Sequence, residues 1–521
     1  MKLVFNNFLK GAAPLDVLNL NGTNVFGVTE NVVQSDHEFY SAIYSQEINP
    51  YRILNVLTPA PQKTNVTNMA SVTDTIQNIV VRTIAGAAPD GWAIGSTGSV
   101  AKIYQLTGAK FDSITAGAFS STTFPRTITS AKNGYDCAVI NINGTQYLIY
   151  TYDTATSGAA NPTRYVGIYD FSTAYTSANA ASDTWGTLST GADHNQSFLP
   201  ICLGSDGKYY IGSGYKLDVI DPTVAVGSAF STNAKSIPKD YVITSIRDYK
   251  GFLVIGAHTK QGLTNAYARG KCAYFFWNYS QSGFTDVVYV DDTKVGAVYV
   301  SEKGLFTWTG EKDGYCKLRE FDGSSFNTVA AFSSGVPTHN NPDSYRGVLI
   351  WGAGTDGKVW SYGSPIEGFP NALNYLDSGA TGCVKVLSTQ TGYHYHIAGA
   401  ATLKTADTGY LGGAIWQTIQ FRFPEDRVSV KKIVFEFLPL ASGATATLSY
   451  SKNHSATFTN LKGPAGEATI SFAVDGAVTR KVFTNSIPNV QNMALKISWP
   501  DSTTNVVGIT KITIYYDPLQ D

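Results

Sequence analysis

The sequence predicts an all-β protein in which a β-propeller of six or seven blades is followed by a C-terminal β-sandwich. Three observations predict this fold. The composition is poor in charge and rich in glycine and aromatic residues. A short strand bracketed by glycines recurs with a period near 50 residues. After about Gly412 the strands become longer and alternate more regularly between apolar and polar residues.

The composition excludes several classes of protein. Only 15% of the 521 residues are charged, against about 25% in an average soluble domain, and 38 Lys+Arg against 39 Asp+Glu leave a net charge of −1. Abundant aromatic residues argue against disorder, and the scarcity of good helix formers argues against a coiled coil. No basic run occurs, so we expect no sequence-specific nucleic-acid partner.

The five cysteines and the N-terminus predict neither a disulfide framework nor export. The cysteines are odd in number and form no CxxC pair, so neither structural disulfides nor a zinc site is expected. The N-terminus, MKLVFNNFLKGAAPLDVLNL, lacks an unbroken apolar stretch and a cleavage site, so no signal peptide is predicted. No run is long enough to cross a bilayer.

The repeat is a glycine-opened strand that another glycine closes. The opening glycines are Gly91, Gly144, Gly207, Gly251, Gly296 and Gly347, which lie 53, 63, 44, 45 and 51 residues apart. Three of them share a G-x4-G spacing. This period, without helices between the strands, is typical of four-stranded propeller blades. We interpret the glycines as turn residues and as points where neighbouring blades crowd together. A β-helix or serial sandwiches are the alternatives.

The remaining segments complete the domain organisation. Residues 382–398 either supply a seventh blade or close the sixth. Residues 1–62 lack the repeat, and part of them is expected to close the ring, which removes an exposed strand edge. Residues 63–408 form the predicted propeller, and residues 409–521 form a sandwich. Its predicted strands include EATISFAV (467–474) and KITIYY, the latter with alternate residues on one face.

A search for catalytic motifs finds no P-loop, GxSxG, HExxH or kinase signature. Glycoside hydrolysis requires two carboxylates at a defined separation, and no spacing pairs the available ones. The segment SEKGLFTW (301–308) only partly matches a sialidase repeat. The carboxylates considered are Asp286, Asp291, Asp292, Glu302 and Glu311.

Two further patterns have an ordinary structural interpretation. His394 and His396 share a strand face and a metal would need a third ligand, so a pair of partly buried polar residues is favoured. The aromatic run Tyr274–Trp277 and the pair Trp351 and Trp360 would suit sugar stacking, but packing between blades is favoured. We therefore predict no catalytic, cofactor-binding or metal-binding residues, no cofactor, and no enzymatic activity.

Two segments resemble structural proteins of tailed bacteriophage virions. They are VKKIVFEFLPLASGATATLSYSKN (430–453), together with the final KITIYYDPL, and INPYRILNVLTPAP (48–61). The resemblance is to propeller-containing tail proteins, including nozzle and baseplate types. It implies a tail component that acts as an assembly scaffold in the virion, is made in the host cytoplasm, and forms a homo-oligomer with other tail proteins as partners. The alternative is a carbohydrate-binding receptor-recognition protein or a propeller glycosidase, with host surface glycans as ligands.

Overall fold

The structure is a computed structural model of the chain. It describes residues 2–5, 42–46, 56–60, 64–65, 75–84, 90–97, 99–106, 125–128, 130–154, 163–171, 184–189, 198–259, 271–310, 314–332, 335–352, 358–363, 372–377, 382–388, 393–397, 402–405, 410, 412–418, 420–423, 425–476, 478–500 and 505–519. Regular structure in these ranges is nearly all β-strand, with one short helix, α1 (Phe472–Asp475), and a 3-10 turn at Val226–Ser228. None of the described helices is long and apolar enough to cross a membrane.

Three short strands precede the first blade. They are β1 (Lys2–Phe5), β2 (Ala42–Gln46) and β3 (Thr64–Asn65).

In the described ranges, seven antiparallel blades of four strands then form the propeller, and the prediction of this fold is confirmed. Six blades are separate sheets, whereas blade 6 belongs to a larger sheet of 11 strands. Blade 1 is β4 (Thr75–Arg82), β5 (Asp90–Ser96), β6 (Ala101–Leu106) and β7 (Pro125–Thr127); blade 2 is β8 (Asn133–Ile142), β9 (Thr145–Asp153), β10 (Arg164–Asp170) and β11 (Gly186–Thr187). Blade 3 is β12 (Ile201–Leu203), β13 (Tyr209–Ser213), β14 (Lys216–Ile220) and β15 (Phe230–Ser236); blade 4 is β16 (Tyr241–Tyr249), β17 (Phe252–Thr259), β18 (Cys272–Trp277) and β19 (Asp286–Val290). Blade 5 is β20 (Lys294–Ser301), β21 (Gly304–Gly310), β22 (Cys316–Phe321) and β23 (Phe326–Phe332); blade 6 is β24 (Asp343–Tyr345), β25 (Val348–Gly352), β26 (Val359–Gly363) and β27 (Ala372–Asp377). Blade 7 is β28 (Cys383–Ser388), β29 (Tyr393–Ile397), β30 (Thr402–Thr405) and the N-terminal strand β3.

Pairing between the two ends of the propeller closes the ring. Strand β3 pairs antiparallel with β30 and so becomes the fourth strand of blade 7, and β28 of that blade packs against β4 of blade 1. The sequence analysis assigns closure to part of residues 1–62, whereas the closing strand lies just beyond that segment. Of the described strands inside the segment, β1 pairs with a sandwich strand, whereas β2 pairs both with a sandwich strand and with β27 of blade 6.

The closing glycines of the repeat lie where blades touch. A Cβ on Gly212 would come within 2.7 Å of Ile243 in the next blade, and one on Gly256 within 2.8 Å of Val298. At Gly352 the Cβ would meet the backbone carbonyl oxygen of Cys383 at 2.5 Å. These distances are too short for a side chain, so glycine allows neighbouring blades to approach, as the repeat predicts.

Four of the six opening glycines lie in the turns between the first and second strands of a blade, whereas Gly91 lies inside β5. Gly144, Gly207, Gly251 and Gly347 all have φ between 74° and 85°, a conformation that glycine adopts without strain. Gly296 is an exception, because it lies inside β20 and faces the chain before β24, where Pro337 leaves no room for a Cβ.

Aromatic side chains pack between blades as the sequence analysis favours. In β18, Tyr274 and Phe276 join the cluster shared with blade 5, whereas Phe275 and Trp277 join the cluster shared with blade 3. Alternate residues of one strand therefore bind opposite neighbours. Trp351 and Trp360 lie in the cluster between blades 5 and 6 and are at most 1% exposed.

The C-terminal domain is a sandwich of two sheets, as predicted. Its strands are β31 (Ala414–Thr418), β32 (Phe421–Arg422), β33 (Val428–Phe437), β34 (Thr445–Lys452), β35 (Thr459–Asn460), β36 (Thr469–Ser471), β37 (Arg480–Phe483), β38 (Ile487–Val490), β39 (Asn492–Trp499) and β40 (Ile509–Pro518). One sheet has the order β1-β40-β33-β37, with β38 also on β33, and the other has β31-β39-β34-β35, with β32 on β39 and β36 on β34. The apolar residues of both inner faces form one core.

Within the sandwich, one expected strand is interrupted. The segment EATISFAV (467–474) alternates like a strand, but β36 ends at Ser471 and α1 follows. The reason is local, because the Ser471 hydroxyl accepts a hydrogen bond from the Val474 amide and caps the helical turn. Ile512, Ile514 and Tyr516 do share a buried face, as predicted.

We expect Gly352→Ala to lower the free energy of unfolding by about 1–3 kcal/mol, because the new methyl group collides with the backbone of the next blade. Urea denaturation measures the effect. Gly283→Ala is the matched control, since nothing lies within 4 Å of a Cβ at that position. Equal stability of both variants would contradict the crowding between blades.

Candidate functional site

A pocket of about 220 Å³ lies on the propeller axis. Its walls come from the innermost strands, or the chain just before them, in blades 1, 2, 3, 4 and 6, together with Ser96 at the end of the second strand of blade 1. Elements of five blades meet only at the axis, so the pocket occupies the end of the channel where the innermost strands begin. The lining residues are Gln77, Ser96, Asn133, Gly134, Tyr135, Asp136, Phe198, Leu199, Pro200, Thr244, Thr338, His339 and Asn340.

The lining combines hydrogen-bonding side chains with aromatic surfaces. The side chains of Gln77, Thr338 and Asn340 make no hydrogen bond to another described residue, so they are available to a ligand. Tyr135 and Phe198 are half-buried in the wall and supply aromatic surface. A few polar groups within a partly apolar wall are typical of small-molecule sites.

Asp153 holds part of the wall in place. Its two carboxylate oxygens accept hydrogen bonds from the amide of Asn133 at 2.9 Å and from the hydroxyl of Tyr135 at 2.6 Å. Asp153 itself is 2% exposed. The positions of two lining side chains are therefore set by a buried carboxylate behind them.

Asp136 forms the acidic part of the pocket floor and joins three blades. One oxygen accepts from Asn78 Nδ2 and from the Cys137 amide, both at 2.7 Å, and the other accepts from the Ile201 amide at 2.7 Å. Burial nevertheless raises the pKa of this carboxyl group to about 6, because the loss of hydration outweighs these hydrogen bonds. Around pH 6 the protonated and the ionised forms of this carboxyl group are therefore both populated.

His339 lies beside Asp136 in an arrangement that superficially resembles a Ser-His-Asp triad. Its Nδ1 is 2.6 Å from Ser245 Oγ, and its Nε2 is 3.7 Å from an Asp136 oxygen. However, Arg247 donates to Nε2, so the proton of the neutral ring is on Nδ1 and points to the serine. Ser245 Oγ also accepts from the Val298 amide and is fully buried. It has neither a base nor access to substrate, so the cluster is not a nucleophilic triad.

The ionisation of His339 follows from the same contacts. Burial and the positive charge of Arg247 hold the pKa of the imidazole well below its usual value. The ring is therefore neutral in the pocket floor and serves as a fixed bridge between Arg247 and Ser245.

The carboxylates considered from sequence do not meet in the pocket. Asp286, Asp291 and Glu302 are exposed on blades 4 and 5 and at the turn between them. Asp292 is buried, but it pairs with Arg319 at 2.8 Å and Lys317 at 3.5 Å away from the axis. Glu311 lies outside the described residues.

Of the two histidines of blade 7 considered from sequence, only His396 has a described side chain. His396 is fully buried in β29, and the side chain of His394 lies outside the described part of the chain. No group of three or more His, Cys, Asp or Glu residues in the described ranges could hold a metal ion.

Sequence reasoning did not identify Asp136, His339 or Asn340. Asp136 and His339 are 203 residues apart in the chain, and only ring closure brings them together. One clue was available, because Asp136 and His339 each lie near the start of the first strand of a blade. However, the sequence does not show which residues at these strand starts face the axis.

No protein-family model matches the chain, and none of the curated proteins matches it. Among solved structures, an exo-β-1,3-galactanase from Phanerochaete chrysosporium aligns over 85% of this chain and 96% of its own, with 11% identity and a TM-score of 0.28. A family 43 arabinoxylan arabinofuranohydrolase from Bacillus subtilis aligns over 87% and 99%, with 12% identity and a TM-score of 0.29.

This comparison corrects the prediction that the chain is not an enzyme. Both aligned structures are carbohydrate-cleaving enzymes by their descriptions, so the non-enzymatic interpretation is withdrawn. The prediction rested on the lack of a paired-carboxylate motif in the sequence. A search for local motifs does not detect residues that only the folded ring brings together at the axis. At TM-scores below 0.3 neither a substrate nor a catalytic residue carries over to this chain.

We expect the His339 imidazole to stay neutral, with its proton on Nδ1, when the pH falls below the ordinary histidine pKa, because burial and Arg247 lower the pKa of the ring. Heteronuclear NMR of the ring nitrogens, assigned with His339→Gln, measures this. Protonation with a midpoint near the ordinary histidine value of about 6.5 would contradict the arrangement.

Proposed function

We propose that the protein is a carbohydrate-active propeller protein whose axial pocket receives one sugar residue of a glycan. The observation that carries this proposal is the composition of the pocket wall, where unpaired amide and hydroxyl side chains stand beside aromatic rings. The resulting function is the carbohydrate alternative that the sequence analysis left open.

The chemistry of the wall suits a sugar ring. A sugar has many hydroxyl groups, each a donor and an acceptor, and the free amides of Gln77 and Asn340 offer both roles. Its apolar C–H face packs on aromatic rings such as Tyr135 and Phe198. At about 220 Å³ the pocket is smaller than the roughly 300–1,000 Å³ of drug-sized sites, which favours a single residue over an extended chain.

Glycoside cleavage is the activity that this pocket would support. Asp136, with its raised pKa of about 6, would donate a proton to the departing glycosidic oxygen. It is the one carboxyl group among the described lining residues. Water must then attack the anomeric carbon, and in the usual route a second carboxylate, which would have to come from outside this lining, acts as its base or as the nucleophile.

The virion role implied by the resemblance to phage tail proteins stays a prediction, together with the homo-oligomer and the tail partners. It is compatible with the carbohydrate proposal, because an adhesin of a tail binds glycans. Light scattering of the full 56.0 kDa chain tests the oligomer, and a monomer would count against the scaffold role.

We expect Asn340→Ala to weaken glycan binding about tenfold, the loss of roughly one hydrogen-bonded group, without a change in melting temperature. A glycan array identifies ligands, and calorimetry then measures their affinity. Gln491→Ala, an exposed position on the sandwich, is the control. If no glycan binds the wild-type protein, or if both variants bind equally well, the pocket is not the site.

For glycosides that bind, we expect Asp136→Asn to abolish cleavage, and the wild-type rate to fall as pH rises through about 6, because the acid must be protonated. Release of reducing sugar from alkyl glycosides measures both, because an alkoxide leaving group requires the proton from the acid. Circular dichroism reports whether the variant is folded, since the asparagine amide would face the Ile201 N–H. Should it unfold, a wild-type rate that is flat between pH 5 and 8 would still exclude Asp136 as the acid.

A further inference from the structure

Near the pocket floor, four ionisable side chains from four different blades interact electrostatically. Asp136 comes from blade 2, Arg247 from blade 4, Asp343 from blade 6 and Lys385 from blade 7. The charges of the other three all act on the Lys385 ammonium group. Residues from blades 2, 4, 6 and 7 approach one another only on the axis, so Lys385 points into the channel.

The two acidic groups already have hydrogen-bond donors. The oxygens of Asp343 accept from the Tyr299 hydroxyl at 2.8 Å, the Ser344 amide at 2.8 Å and the Ser388 amide at 2.6 Å. The oxygens of Asp136 accept from one side-chain amide and two backbone amides. Both carboxyl groups are therefore held by neutral donors rather than by the nearby cations.

The two cations, in contrast, have N–H donors that bond to no described acceptor. Lys385 is 9% exposed, yet within the described ranges its Nζ makes no hydrogen bond and no ion pair. Arg247 uses Nη1 on His339 and on the Ile246 carbonyl and Nη2 on the His339 carbonyl, while its Nε–H bonds to no described residue. A buried ammonium group without an acceptor is costly, and an anion in the channel would remove that cost.

The cation pair adjoins the pocket. Arg247 bonds directly to His339, which lines the floor, and Lys385 acts on Asp136, the other polar floor residue. If a sugar ring occupied the pocket, a substituent directed along the channel would thus lie beside both cations.

We propose that Lys385 and Arg247 form an anion site in the channel that takes the carboxylate of an acidic sugar whose ring occupies the pocket. The placement of the sugar ring rests on the proposed function. The binding of the anion rests instead on the N–H donors of Lys385 and Arg247 that have no described acceptor. The ligand class is therefore a glycan with a terminal uronic acid residue, and a free oxyanion offers the same chemistry to the cations.

The first experiment compares matched ligands by calorimetry. The methyl glycosides of glucuronic and galacturonic acid are titrated against those of glucose and galactose, and sodium sulfate is the free oxyanion. We expect the better uronide to bind at least about tenfold more tightly than its neutral partner, since a hydrogen bond to a charged group contributes that much.

The second experiment replaces the lysine. Lys385→Met keeps the length of the side chain and removes its charge, so we expect the tenfold preference to vanish while neutral sugars bind as before. Without ligand the variant should melt at the same or a higher temperature, because a desolvated charge is gone. Lys239→Met, an exposed position, is the control and should behave as wild type.

The outcomes separate the two proposals. If acidic and neutral sugars bind equally, or if Lys385→Met keeps the preference, the anion site is wrong and the sugar pocket stands. If no sugar binds but sulfate raises the melting temperature of the wild type and not of Lys385→Met, the anion site stands and the carbohydrate function fails. If neither sulfate nor any uronide binds, the anion site is overturned.

Discussion

The pairing of β3 with β30 is the constraint on which the rest of the molecule depends. A propeller has a channel only if its last blade meets its first, and here two residues of the N-terminal segment complete blade 7. This pairing removes an exposed sheet edge and fixes the circumference of the ring. The axial pocket exists because the ring is closed, since its walls are drawn from blades that are far apart in the chain.

Within the closed ring, the space between the blades determines which residue types lie at each distance from the axis. Glycine at the ends of the second strands lets neighbouring blades approach, and the large aromatic residues fill the volume farther from the axis. The polar residues are left to the first strands, around the channel, where Asp136 links three blades through short hydrogen bonds. The same packing that stabilises the ring therefore concentrates its charged groups at the centre.

The sequence was sufficient for the architecture but not for the site. The glycine period and the alternation in KITIYY are local patterns, so they predicted the blades and the sandwich correctly. The strand at 467–474 failed because one serine hydroxyl competes with the sheet for a backbone amide. The pocket was missed because its residues share no motif. Asp136 and Asp292 look alike in sequence, and only the ring shows that the first reaches the axis while the second pairs with Arg319.

Strand β2 has a mechanical consequence. It pairs with β27 of blade 6 on one side and with β31 of the sandwich on the other, so one continuous sheet of 11 strands runs through both domains. A hinge between the domains would have to break backbone hydrogen bonds rather than bend a linker. A load applied to the sandwich therefore has a backbone path into blade 6, through the pair of Gln46 and Tyr375 that joins β2 to β27.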